Sequence, residues 1–182
     1  METQTAHLEY TYELLDILFE FPYEPCEEGA TFSVCEDGST QKGDMPTITY
    51  DEDGIPLGRS REEIKMREKA IKDFYARWIA LNPEKKVWNK NLSDYILVKF
   101  VSINETYEKA ARTYESTKAV FKLSEILENA QLMGEVPSKQ NNKNQKSFSK
   151  LLIMRYRNIK LTVGYQKKTS ENVQYCITVP RQ

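Results

Sequence analysis

Histidine is nearly missing from this chain: His7 is the only one in 182 residues. His-based acid–base or nucleophilic catalysis therefore lacks its usual carrier, and no Ser–His or Cys–His pair stands out. Cysteine is scarce too. Cys26, Cys35 and Cys176 are an odd set without CxxC spacing, which reads as reduced thiols, and with His7 alone to add they make a poor zinc site. Cys26 and Cys35 could pair with one another, but a reducing compartment argues against it. The seven glycines are scattered, with no GxGxxG and no Walker A loop to cradle phosphates, so no cofactor is expected. No apolar run approaches the ~20 residues of a membrane span. Met1-Glu2-Thr3-Gln4 has neither the positive charge nor the apolar core of a signal peptide, so the expectation is a cytoplasmic protein without membrane contact.

What the chain does have is charge, and the charge is segregated. Residues 1–60 hold 14 Asp/Glu against 2 Lys/Arg, whereas residues 141–182 hold one acid, Glu171, against nine bases. The near-neutral total of −1 hides this gradient. At 40% hydrophobic and 29% charged, the composition is that of a globular domain long enough to bury a core.

The C-terminal end carries the clearest pattern. Ile159, Leu161, Val163 and Tyr165 alternate with Lys160, Thr162, Gly164 and Gln166, and Val173, Tyr175, Ile177 and Val179 alternate with Gln174, Cys176 and Thr178. Two period-2 runs around a short polar segment predict a hairpin, with Val163 opposite Tyr175. Leu151–Tyr156 adds a third strand through a two-residue turn at Arg157-Asn158, where Asn tolerates positive φ. One face of this meander is core. The other (Leu151, Ile153, Arg155, Lys160, Thr162, Gln174, Thr178) is a polar, cationic surface with an aliphatic edge.

Upstream, Ser60 with Glu63 spells a capping box, and Ile64, Ile71, Phe74, Trp78 and Leu81 keep helical spacing as far as Asn82-Pro83. Residues 83–91 read as a polar loop, and Leu92–Val101 as a buried strand or a helical turn. Ser102 with Glu105 predicts a second helix to about Met133, with a break near Ser116-Thr117 because its apolar stripe changes face there. Gly134–Ser147 reads as a polar linker. In the acidic segment, Thr11–Phe21, Thr31–Val34 and Thr47–Tyr50 are short element candidates, and Asp51-Glu52-Asp53-Gly54 is a turn. It is no EF-hand, since Pro56 stands where that loop requires Gly.

Asn141-Asn142-Lys143-Asn144-Gln145, together with Gln174-Tyr175-Cys176-Ile177-Thr178, resembles a group of short bacterial proteins of Bacteroidales type, over Ile71 to Thr178. The resemblance implies a bacterial cytoplasmic setting and brings no activity with it.

The expected architecture is a single α+β domain: an acidic segment (1–60), a helical layer (61–133), a polar linker (134–147) and a basic meander (148–180). The E-x-K at Glu63-Ile64-Lys65 falls on a helix start and serves as capping, and with no His clusters either, a non-enzymatic interaction module is expected. The residues that would contact nucleic acid or another partner are Lys143, Lys146, Lys150, Arg155, Arg157, Lys160, Lys167 and Lys168, interleaved with Tyr156 and Tyr165. Three competing accounts exist. The basic tail could be neutralised by the chain's own acids, residues 1–60 could imitate nucleic-acid charge as an acidic inhibitor of a basic protein, or the chain could be an enzyme of another class.

Overall fold

The computed structural model describes residues 47–180. Their elements run α1 (Arg61–Leu81), β1 (Lys86–Asn89), β2 (Asp94–Leu97), α2 (Phe100–Ala110), α3 (Tyr114–Val120), α4 (Leu123–Asn129), β3 (Gln131–Pro137), β4 (Phe148–Tyr156), β5 (Ile159–Gln166) and β6 (Asn172–Thr178). The fold is α+β, with one mixed six-stranded sheet in the order β1-β2-β6-β5-β4-β3.

Local chemistry starts α1 where the capping box stands. Ser60 Oγ accepts from Glu63 N at 3.2 Å, and the Glu63 carboxylate accepts back from Ser60 N at 2.9 Å. The stripe that α1 buries differs from the apolar spacing: it is Glu63, Arg67, Ile71, Tyr75 and Trp78, while Leu81 is exposed. Arg67 is fully buried because three carbonyls receive it. Nε donates to Ala111 O at 2.8 Å, and Nη1 donates to Pro56 O and Gly58 O at 2.8 and 2.7 Å. One guanidinium thus ties the loop before α1 to the end of α2.

Four strands, β3 to β6, run antiparallel in sequence, and β2 joins β6 in parallel through Ile96–Asn172 and Leu97–Val173. The register of β5 on β6 departs from strict alternation. Leu161 lies opposite Ile177 and Thr162 opposite Cys176, but Val163 lies opposite Gln174, not Tyr175. Tyr175 is the extra residue of a bulge, and a bulge reverses the faces of everything beyond it. Gln174, expected on the polar surface, is therefore 0% exposed on the helix side. Tyr75 Oη donates to its Oε1 at 3.0 Å, and its Nε2 donates to Thr106 Oγ1 at 2.8 Å.

The second sheet face is not all surface either. Leu151, Gly164 and Val173 form one row across it, and with Phe148, Tyr175, Cys176, Leu97 and Val101 they make a small core. Gly164 is required here, because a Cβ would stand 2.5 Å from the Phe148 ring. Beyond its two paired residues, β6 is edged by helices: Ser102 Oγ donates to Gln174 O at 2.5 Å, and Val179 N donates to Ser116 Oγ at 2.9 Å. Side chains of α2 and α3 thus complete an edge that a strand would otherwise fill.

Other expectations shift with their causes. The helix expected over 103–133 is three short ones. Lys99 N donates to Ser102 Oγ, so α2 starts three residues early, and Thr113 accepts from Ser116 N to begin α3, which moves the break upstream of Ser116-Thr117. Leu132 and Met133 belong to β3, which also takes in the start of the expected linker. The 83–91 loop contains β1, and Leu92–Val101 splits between β2 and α2. Thr47–Tyr50 forms only an isolated bridge, Tyr50 to Pro56, around a turn in which Gly54 has φ +76°. In the β4–β5 turn, the left-handed residue is Arg157 (φ +55°) rather than Asn158. Thr11–Phe21, Thr31–Val34, Cys26 and Cys35 lie outside the described residues.

Candidate functional site

The topology divides the basic residues into two groups. Arg155, Arg157 and Lys160 gather at the β4–β5 turn, where Arg155 lies opposite Lys160. Lys150, Lys167 and Lys168 lie at the other end of the same hairpin. Lys150 to Arg155 spans five residues of β4, roughly 17 Å at about 3.3 Å per residue. The loop carrying Lys143 and Lys146 joins the second group, because Lys167 N donates to Ser147 O at 3.0 Å.

The partners of these cations separate them further. Lys150 Nζ reaches both oxygens of Glu135 at 2.7 and 2.9 Å and sits 5.6 Å from the Tyr165 ring centre. Arg157 lies 3.7 Å from Glu125 and 5.1 Å from the Tyr156 ring centre. Arg155 Nε donates to Arg157 O at 3.0 Å, and Lys167 Nζ donates to Gln140 Oε1 at 2.6 Å. Among the described residues, Lys143, Lys146, Lys160 and Lys168 form no ion pair. The only acid after Ser138 is Glu171, and it is held by Lys99 at 2.7 Å.

Acids of the 1–60 segment that are described do not meet this tail. Asp51 Oδ1 accepts from Asp53 N and Ile55 N at 3.0 and 2.8 Å, while its Oδ2 accepts from Tyr114 Oη at 2.8 Å and lies 3.0 Å from Lys118 Nζ. Asp53 also pairs with Lys118. Burial opposes the Asp51 charge, but the Ile55 amide, Lys118 and Tyr114 outweigh it and hold the carboxyl down at about 2. The turn is docked on α3 by these contacts.

Sequence reasoning passed over two features. Lys109, on α2, pairs with buried Glu105, which also accepts from Asn144 and so fastens the basic loop to α2. Burial would raise the Glu105 pKa, yet bonds from Lys109, Tyr175 and Asn144 hold it below its ordinary value. Burial pushes the Cys176 thiol up to about 11, although the charges of Lys109 and Lys160 oppose the rise. The second feature is an aromatic pair. Trp88 and Tyr95 lie opposite one another on β1 and β2, 46% and 43% exposed, with ring centres 5.1 Å apart. The signal was Val87-Trp88 between lysines, too short a run to stand out from the surrounding loop residues.

Other chemistry finds little to use. No group of His, Cys, Asp or Glu among the described residues could hold a metal ion, and no described helix is long and apolar enough to cross a membrane. One open depression of about 520 Å³ is lined by Arg59, Ile64, Glu68, Glu108 and Arg112, two bases and two acids around one apolar side chain.

Residues 66–167 match the family described as Large polyvalent protein-associated domain 3. The chain belongs to this family. The matched span of this polyvalent protein-associated domain covers most of α1 and all elements through β5, and it includes Trp88, Tyr95 and, of the eight basic residues expected to contact a partner, all but Lys168. It carries no information on the bacterial group that the Asn-rich loop and β6 resemble. Comparison with curated proteins and with solved structures finds no match.

Proposed function

We propose that this domain is a non-enzymatic, cytoplasmic interaction module that contacts nucleic acid through the basic end of its C-terminal sheet. The observation that carries this reading is the set of lysines without carboxylate partners among the described residues at the β5–β6-turn end, Lys143, Lys146 and Lys168, on a sheet and loop fixed by backbone pairing, with Lys160 at the other end of the hairpin. Lys167 extends the set, since its partner is a neutral amide. Unpaired cations on a rigid scaffold are suited to phosphates, whose binding releases counterions and needs no base-specific contact. Lys150 and Arg157 are the weaker members, because Glu135 and Glu125 already engage them. The docking of Asp51 and Asp53 on Lys118 withdraws two of the 14 acids of residues 1–60 on which the acidic-inhibitor account draws. The family name associates such domains with large polyvalent proteins, a setting in which a binding module has a use without chemistry of its own.

The test is fluorescence anisotropy of labelled DNA titrated with the full chain, with polyglutamate as competitor. Binding that weakens steeply with salt and resists polyglutamate supports the reading. Absence of binding to DNA overturns it, and equal displacement by polyglutamate reassigns the surface to an acidic protein partner.

A further inference from the structure

We propose that the β1–β2 hairpin is a base-stacking platform, so that the nucleic acid taken at this end of the sheet is single-stranded. This rests on the phosphate-binding reading above and adds the class of ligand. A tryptophan and a tyrosine buried in contact with other groups contribute large apolar areas to a fold, yet Trp88 and Tyr95 leave nearly half of each side chain in solvent. Their positions are nonetheless fixed. Asn89, fully buried beside them, donates to Leu127 O and Ala130 O at 2.6 and 3.0 Å and accepts from Asn91 N and Leu92 N at 3.0 and 2.7 Å. On the opposite face of β2, Ile96 is fully buried. The hairpin is anchored on one side and presents rings on the other.

One cation stands against those rings, and others lie at the same end of the sheet. Lys86 Nζ stands 4.7 Å from the Tyr95 ring centre, oriented by Glu84 at 3.1 Å. Tyr95 is two residues ahead of Leu97, which lies opposite Val173 near the start of β6. The β5–β6 turn with Lys167 and Lys168 is therefore at the same end of the sheet, one to two strands away, roughly 5–10 Å at about 4.8 Å per strand. The loop with Lys143 and Lys146 is attached to that turn through Ser147. The carboxylates at this end are already held: Glu84 by Lys86, Asp94 by Asn172 at 2.9 Å, and Glu171 by Lys99. Aromatic faces beside a cationic track are the two requirements for binding unpaired bases, which expose π-faces that a duplex keeps stacked.

The experiment uses the full chain with a labelled oligothymidylate of about 15 nucleotides, within the range of stacking-groove site sizes, and a duplex of equal length. Wild type binds the single strand more tightly than the duplex, and binding quenches tryptophan emission. Trp88→Thr with Tyr95→Thr, whose β-branched replacements suit a strand, lowers single-strand affinity roughly tenfold or more, with the salt slope and duplex affinity unchanged. Trp88→Phe with Tyr95→Phe retains the preference, which separates loss of rings from loss of folding. Unchanged single-strand affinity in the Thr variant, or tighter duplex binding by wild type, overturns the platform while leaving the phosphate reading intact. Failure of wild type to bind either probe overturns both.

Discussion

Replacing Gln174 with leucine separates the observed fold from the one that strict alternation implies. On an alternating β6 this side chain would point to solvent, and such substitutions change stability by no more than about 0.5 kcal/mol. In the structure Gln174 is fully buried, accepting from Tyr75 and donating to Thr106. Leucine removes the amide that serves both buried hydroxyls and leaves Tyr75 and Thr106 only each other, at a cost of about 1–3 kcal/mol for each polar group left short of a partner. Against this stands only the modest gain from a more apolar side chain, so Gln174→Leu should destabilise by about 2–4 kcal/mol. Urea unfolding followed by circular dichroism measures it as a fall in midpoint at constant m. Tyr75→Phe in the same background should cost less than it does alone, because the orphaned hydroxyl goes with it, giving a coupling of about 1 kcal/mol or more. A shift within about 0.5 kcal/mol for the single variant would refute the bulge and the burial it imposes.

Gly164→Ala puts a methyl 2.5 Å from a Phe148 ring carbon and should destabilise by about 1–3 kcal/mol; Phe148→Leu should then recover part of the loss, and simple additivity of the two in thermal melts would contradict the contact. Asp51, ordinarily near 3.8, titrates at about 2 in the fold, so its stabilisation is fully present above 3.8 and lost as pH falls toward 2. The Tm gap between wild type and Asp51→Asn should close across that window, and a constant gap would remove the clamp to Tyr114 and Lys118 from the account. Cys176, buried with a pKa of about 11, should react slowly with a thiol reagent in a Cys26→Ser, Cys35→Ser chain near pH ~8 and quickly in urea. Equal rates would show that the thiol is accessible.

The Ser102–Glu105 pair misled, because Ser102 Oγ accepts from Lys99 N and donates to Gln174 O. The start of α1 was legible because its chemistry is local, Ser60 and Glu63 satisfying one another within a single turn. The alternation of Ile159–Val163 was legible for the same reason, since it repeats on one strand. What escaped depends on contacts far apart in sequence. Tyr175 bulges, and Gln174 finds partners on Tyr75 and Thr106, which periodicity within β6 cannot foresee. Leu132 and Met133 suit a helix stripe equally well, and only pairing with β4 makes them a strand. The basic block looked continuous along the chain, yet the β4–β5 turn sends Arg155, Arg157 and Lys160 to one end and Lys150, Lys167 and Lys168 to the other. Trp88 and Tyr95 were hidden in four-residue strands whose neighbours are polar.

The account turns most directly on the salt dependence of single-strand binding by wild type and by a chain with Lys143, Lys146, Lys167 and Lys168 all changed to Gln. Each phosphate contact on a single strand contributes about 0.7 to the slope of log K against log salt. If these four lysines hold phosphates, the variant's slope should be shallower by roughly 3, with affinity at low salt reduced accordingly. Equal slopes for the two chains would contradict the claim that this end of the sheet grips the nucleic-acid backbone.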